Sequence, residues 1–445
     1  MMDSQRFASA TGESFLFITL LLLTGIASAA DWPHWRGPNR NDITSEPSGW
    51  SAKVWPPKRI WNKRVGYGST SPIVYKDRLY TAGWINNKDY IYCLNAATGK
   101  EIWKKSYNCR PYGRFARGDQ GAYKGVTSTP EYDPRTNLLY TLSTDGHLYC
   151  WNPADGRDVW HLNLYDKYKV PRRPGDRDYG YTSSPLALDE WLIVEVGDNE
   201  GCLMAFNKRT GKRIWTSRAK DPAGHNAGPT PMTVQNTPCI ATLTRAGLLV
   251  VRTDKGREGL TVATHPWVTS YNNNIASAAT SGDRVLITSD YNQDKMCLFN
   301  ITLKGIGRKH EVRRDFSRVG TPVIYNNHIY IPYQRLRCYS IDKDGLKLRW
   351  KASSSNLDFG SEGSCLITGD KKMIAFGSRG SKYKLVLIDI AGGSGGKPKL
   401  LAANQDVFAG IKRSRYRAWP HVVLANKRVY CKDREGNIVC FSLRR

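Results

Sequence analysis

Arginine and lysine crowd into a few stretches of this chain, with aromatic rings between them. Asn108 to Lys124 carries Arg110, Arg114, Arg117 and Lys124, and Lys167 to Tyr181 carries Lys167, Lys169, Arg172, Arg173 and Arg177. Arg308 to Arg318 and Ile411 to Trp419, with Lys412, Arg413, Arg415 and Arg417, are built alike. Guanidinium groups bind carboxylates and phosphates through paired hydrogen bonds, and rings stack on cations and planar groups. The chemistry this mixture suits is recognition of an anionic or ring-bearing ligand. The candidate contact residues are Tyr67, Arg114, Arg117, Arg172, Arg173, Arg177, Tyr181, His225, Asn273, Arg318, Arg415 and Trp419. No catalytic residue can be assigned. The chain has no Gly-x-Ser-x-Gly, His-Glu-x-x-His or Cys-x-x-Cys. Asp198-Asn199-Glu200-Gly201 and Asp342-Lys343-Asp344-Gly345 do not continue as calcium loops and read as turns.

What positions these stretches is a repeat. Ser71-Pro72 opens a unit that runs through Tyr92-Cys93-Leu94-Asn95 to Thr98-Gly99-Lys100-Glu101-Ile102-Trp103. Thr129-Pro130 leads likewise to Tyr149-Cys150 and Asp155-Gly156…Trp160, and Ser184-Pro185 to Ala205-Phe206 and Thr210-Gly211…Trp215. Each unit holds four short apolar runs separated by Gly- or Asn-rich turns, the pattern of one four-stranded propeller blade. Thr230-Pro231, Ile275 to Ala278, Thr321-Pro322, Gly363-Ser364 and Pro420-His421 open five more. The eighth stops at Cys440-Phe441-Ser442-Leu443, one strand short. Arg59-Ile60-Trp61-Asn62-Lys63 repeats the Ile-Trp pattern near the start and is expected to complete it. The expected fold is therefore all-β: an eight-bladed β-propeller of four-stranded antiparallel blades, the last closed by an N-terminal strand. Its topology puts the basic connections on one face, around the mouth of the central channel.

Phe15 to Ile26 is an apolar run of about 12 residues, followed by Ala27-Ser28-Ala29. It is shorter than the ~20 residues that span a bilayer. We read 1–29 as an export signal, cleaved after Ala29 or Ala30, and 30–445 as one propeller domain, periplasmic or extracellular, with no transmembrane segment after cleavage. The net charge of +27 favours an anionic small molecule, an acidic polysaccharide or an acidic protein as partner; export argues against nucleic acid. Of the ten cysteines, Cys93, Cys150, Cys297, Cys338 and Cys440 share one repeat position, held by Ala205 in the third unit. That position reads as small and buried. A bridge among Cys109, Cys202, Cys239, Cys365 and Cys431 stays open.

The Asn95-to-Trp103 phrase and its copies ending at Trp160 and Trp215 resemble the PQQ-like repeat family. It includes quinoprotein alcohol dehydrogenases and the barrel-assembly propeller lipoprotein. The resemblance implies that Trp61, Trp103, Trp160, Trp215 and Trp350 dock each blade on the next, with Trp267 the candidate for blade four. Asp31-Trp32-Pro33-His34-Trp35-Arg36-Gly37-Pro38-Asn39 resembles the start of exported members of unassigned function. Two departures matter: no two cysteines are adjacent, and the expected mature start is Ala30 or Asp31 rather than a cysteine. We therefore expect a non-catalytic binding or scaffold module without cofactor. The alternative is a PQQ- and Ca²⁺-dependent oxidoreductase, with Asp358 and Glu362 among the few acids near the mouth.

Overall fold

The computed structural model describes residues 30–112, 124–171, 178–223, 228–379, 382–391, 396–411 and 418–444. Eight four-stranded antiparallel sheets form the ring. Blade one comprises Ile73–Tyr75, Arg78–Ile85, Lys88–Asn95 and Glu101–Asn108, innermost strand first. Blade eight takes Val423–Ala425, Arg428–Lys432 and Asn437–Ser442 from the C-terminus and its outer strand, Lys58–Arg64, from near the N-terminus. Trp61 pairs with Cys440 and Asn62 with Val439, as expected for a ring closed by its two ends. One departure from pure β structure is a short helix, Leu164–Tyr168, capped by the Asn163 side chain accepting from Asp166 N.

In four blades the repeated cysteine sits in a fixed row, whereas Cys297 of blade five lies between Ile287 and Glu311. Cys93 pairs with Tyr80 on one side and Trp103 on the other. Tyr140–Cys150–Trp160, Tyr330–Cys338–Trp350 and Tyr430–Cys440–Trp61 repeat the row. All ten cysteines are buried free thiols, so no bridge forms among the off-repeat five.

The row's outer members grip the next blade. Trp61 Nε1 (3.2 Å) and the Tyr430 hydroxyl (3.0 Å) both donate to the Ala96 carbonyl in the outer turn of blade one. Trp103 Nε1 (2.9 Å) and the Tyr80 hydroxyl (3.4 Å) share the Pro153 carbonyl. Trp160 Nε1 (2.9 Å) and the Tyr140 hydroxyl (3.1 Å) share that of Lys208. The turn's glycine makes room for the indole. A Cβ on Gly99, Gly156 or Gly211 would lie 2.8, 2.8 and 2.7 Å from the rings of Trp61, Trp103 and Trp160. Each buried donor contributes about 1 kcal/mol, on top of the ring's apolar burial. The core accordingly runs round the ring in clusters spanning adjacent blades: Tyr80, Cys93 and Trp103 pack with Tyr132, Leu139 and Trp151.

The device weakens in the middle blades. Ala263, not a tryptophan, pairs across from Val250 in blade four. Trp267 lies past that strand's end and donates to Ser289 Oγ of blade five at 3.0 Å, so it bridges the same two blades from the strand's other end. Among the described residues Trp215 Nε1 finds no hydrogen-bond partner, and its ring meets Trp191 edge-on at 5.7 Å. In blade five His310 takes the indole's part, 3.3 Å from a Cβ built on Gly345.

Gly156 and Gly256 separate the clamp from backbone conformation, since both have φ above +69° but only Gly156 lies under a ring. Gly256→Ala should cost about 1 kcal/mol for its left-handed backbone. Gly156→Ala should cost about 1–3 kcal/mol more, as the Trp103 ring is displaced. Chemical denaturation of the two variants checks this; equal costs would contradict the packing role.

Candidate binding face and channel

Small polar residues that open several of the repeats link the inner ends of neighbouring blades in a belt. Ser71 N donates to Thr129 Oγ1 (3.0 Å), Thr129 N to Ser184 Oγ (2.9 Å), Ser277 N to Thr321 Oγ1 (3.0 Å) and His421 N to Ser71 Oγ (2.8 Å). A hydroxyl is needed there because each main-chain N–H otherwise points into a neighbouring blade without an acceptor.

Residues 30–48 fill this belt from the face that carries the turns between first and second strands. Trp32 makes a two-bond bridge with Val74, and Thr44 N donates to Ile367 O. Between them the tip of the segment reaches blade after blade. Arg40 donates to the carbonyls of Pro185 and Pro229 and to Glu131. Arg36 bonds Asp42 at 2.5 Å and the Pro322 carbonyl at 3.2 Å. Trp35 Nε1 donates to Ser277 Oγ, and its ring lies 4.4 Å from that of His421. Burial alone would raise the Asp42 carboxyl, but the Arg36 charge and His421 outweigh it and hold it below its ordinary range. Glu131 is likewise held low against burial by Arg40 and His34. The opening stretch singled out in the sequence is thus a plug on the turn face, opposite the funnel face.

On that face, at the seam of blades eight and one, cations lie over rings. Lys124 Nζ is 4.5 Å from the Tyr67 ring centroid and 5.3 Å from that of Trp84; Arg64 is 5.6 Å from Tyr67. Arg434 lies 4.5 Å over Trp419 and donates to Ser69 Oγ. Tyr67 and Trp419 are therefore brought together. Arg318 sits elsewhere, at a cleft of about 490 Å³ between blades six and seven. Arg318, Arg335, Lys351 and Arg379 line the cleft, with Asp358 as its acid. Three of these cations are held by one edge: Arg318 Nε by Asp290, Arg335 by the Ser353 carbonyl (2.8 Å) and Arg379 by Asp358 (2.9 Å).

Two predicted contacts face inward. Tyr181 is buried, with its hydroxyl on Val196 O (3.1 Å) and its ring 4.9 Å from Tyr165; Asn273 is also buried. Arg114, Arg117, Arg172, Arg173, Arg177, His225 and Arg415 lie outside the described residues, as does the 1–29 signal. Sequence reasoning missed Arg64, Trp84, Arg335, Arg379 and Arg434, which sit in strands or short turns rather than in charged connections. It also missed Lys432, wholly buried in blade eight, whose Nζ donates to the carbonyls of Thr70 (3.0 Å) and Ala82 (3.1 Å) in blade one. Burial pushes that ammonium down to about 7.

Calcium-bound PQQ needs several oxygen donors around one cation. Among the described residues no three His, Cys, Asp or Glu side chains approach closely enough to share one. Asp358 and Asp290 are already paired with Arg379 and Arg318.

A family described as outer membrane protein assembly factor BamB matches residues 87–343, more than half of the sequence. The chain belongs to this PQQ-repeat family. Among solved structures, BamB from Moraxella catarrhalis superposes with a TM-score of 0.54 at 10% identity, covering 87% of this chain and 99% of that one. The quinohemoprotein alcohol dehydrogenase of Comamonas testosteroni gives 0.63 at 13% identity, covering 94% and 81%. At such identities these likenesses concern the fold alone. Tetrathionate hydrolase of Acidithiobacillus ferrooxidans is 24% identical over 133 residues, 28% of this chain. The match spans only 22% of that relative's length. Among the described residues no helix is long and apolar enough to cross a membrane.

Asp89 of blade one is fully buried, and burial pushes it up to about 7 against the weaker pull of Cys109 and Tyr107. A raised carboxyl favours the folded state while protonated. Its contribution is full below the ordinary value near 4 and is lost as pH rises through 7. Asp89→Asn should therefore gain stability over the native chain at pH 8 and little at pH 4, read as urea midpoints. A gain independent of pH would contradict this.

Proposed function

We propose that this PQQ-repeat propeller is an exported, non-catalytic binding module that holds an anionic ligand or partner on its funnel face. The cleft between blades six and seven carries the reading: four cations face one acid in about 490 Å³. That volume lies in the usual range of ligand pockets. Three of the cations are oriented by a second group, so little side-chain entropy is lost when an oxyanion arrives. The ring-stacked cations Lys124, Arg64 and Arg434 at the seam extend the same chemistry across the mouth. An acidic polysaccharide or the acidic surface of a partner protein suits a face of this breadth. Membership in the BamB family supports a scaffold role, and the signal-like residues 1–29 support export to the periplasm or beyond.

Heparin and poly-L-glutamate serve as probes. Both should bind with affinity that falls steeply between 50 and 300 mM salt (on the order of tenfold), because exposed charges are screened within ~8–10 Å. Arg335→Gln with Lys351→Gln should weaken binding by roughly three- to tenfold at low salt. Unchanged affinity in that variant would remove the cleft from the site. Addition of PQQ and Ca²⁺ should produce no alcohol- or sugar-dependent dye reduction; turnover would replace this proposal with the oxidoreductase.

A further inference from the structure

We propose that Ala30 is the first residue of the working protein, and that its freed α-ammonium is the cation which the buried Glu46 carboxylate is built to receive. Glu46 has no exposed surface. One of its oxygens accepts from Ala30 N at 2.5 Å and from Asn426 N at 3.0 Å, and the other accepts from Lys427 N. All three donors are main-chain nitrogens. No Lys, Arg or His side chain pairs with Glu46 among the described residues. Other buried acids around the plug have side-chain cations: Asp42 has Arg36, Glu131 has Arg40, and Asp133 has Lys208. A buried carboxylate without a countercharge is costly. An ammonium at Ala30 supplies that charge at an atom already 2.5 Å from the carboxylate.

The residues on either side of the Ala30 nitrogen fix the cut. The Ala30 carbonyl accepts from Asn426 N at 3.3 Å. The Asp31 carboxylate accepts from Lys76 N (2.7 Å) and Asn426 Nδ2 (3.0 Å). Ala30 and Asp31 are thus already tied to the inner turns of blades eight and one, and cleavage after Ala30 would discard the first of these ties. Ala27-Ser28-Ala29 independently presents small residues at the two positions that a signal peptidase reads, placing the break before Ala30. Water adds across the Ala29–Ala30 peptide bond. Ala29 leaves as a carboxylate, and the Ala30 amine takes up a proton. An amide nitrogen with one hydrogen becomes an ammonium with three and a full charge. Leader removal thereby completes the plug: one ion pair joins the segment's start, Glu46 near its end, and the blade-eight turn, beside the seam that closes the ring.

This rests on the export reading, and the two fail separately. The exported protein should begin at Ala30 by N-terminal sequencing. A secreted protein starting elsewhere overturns the latch and leaves export standing; retention of 1–29 inside the cell overturns both. Chain 30–445 is then compared with the same chain carrying Gly-Ser before Ala30, and with an Nα-acetylated form. Both modified forms should unfold at a urea midpoint lower by about 0.5 M. Glu46→Gln should lower the midpoint of 30–445 and abolish its difference from the Gly-Ser form. The native chain should lose its advantage as pH rises past the amine's raised pKa, above its ordinary ~8. Equal midpoints for the native, extended and acetylated chains overturn the latch. So does a Glu46→Gln cost that is the same in native and extended chains.

Discussion

At three junctions of the ring a single main-chain carbonyl takes two donors from the blade before it. At Ala96, Pro153 and Lys208 an indole N–H and a phenol O–H converge on one oxygen. Two side chains on adjoining strands must then keep register with each other and with a turn in a different sheet. The cysteine between them has to be small, because Tyr and Trp flank it across the sheet. The turn has to carry glycine, because the indole lies against its Cα. What looks in the sequence like four unrelated preferences is one geometric condition.

Closure follows from the same condition. Trp61 belongs to the N-terminal strand and Tyr430 to the C-terminal part of blade eight, yet both grip Ala96 of blade one. Lys432 adds a second tie by donating to blade-one carbonyls. With the ring held shut, its inner belt becomes a fixed aperture that residues 30–48 fill from the turn face. On the opposite, funnel face, cations are anchored by single contacts or lie over rings.

The fold was legible in the sequence because the clamp leaves a trace at fixed spacing: Cys, Gly and Trp recur in one order, and the Ile60-Trp61 pair near the N-terminus marks the missing strand. The plug left no such trace. Its partners are the carbonyls of Pro185, Pro229 and Pro322, scattered over the chain and brought together only by ring closure. The candidate face was legible as a composition and poorly legible residue by residue. Tyr67 and Trp419 lie among cations, but Tyr181, from an equally basic connection, turns into the core. An irregular connection has no periodicity to tell inward from outward. Arg335, Arg379 and Arg434 were overlooked because an isolated arginine in a hairpin turn reads as solvated surface.

The shared carbonyl is tested most directly by a double-mutant cycle at the seam, using Trp61→Phe, Tyr430→Phe and the pair, followed by chemical denaturation. Two donors on one oxygen should couple, with a departure from additivity of about 0.5 kcal/mol or more. Strictly additive losses would mean that indole and phenol act independently, and that convergence on Ala96 does not hold the ring together.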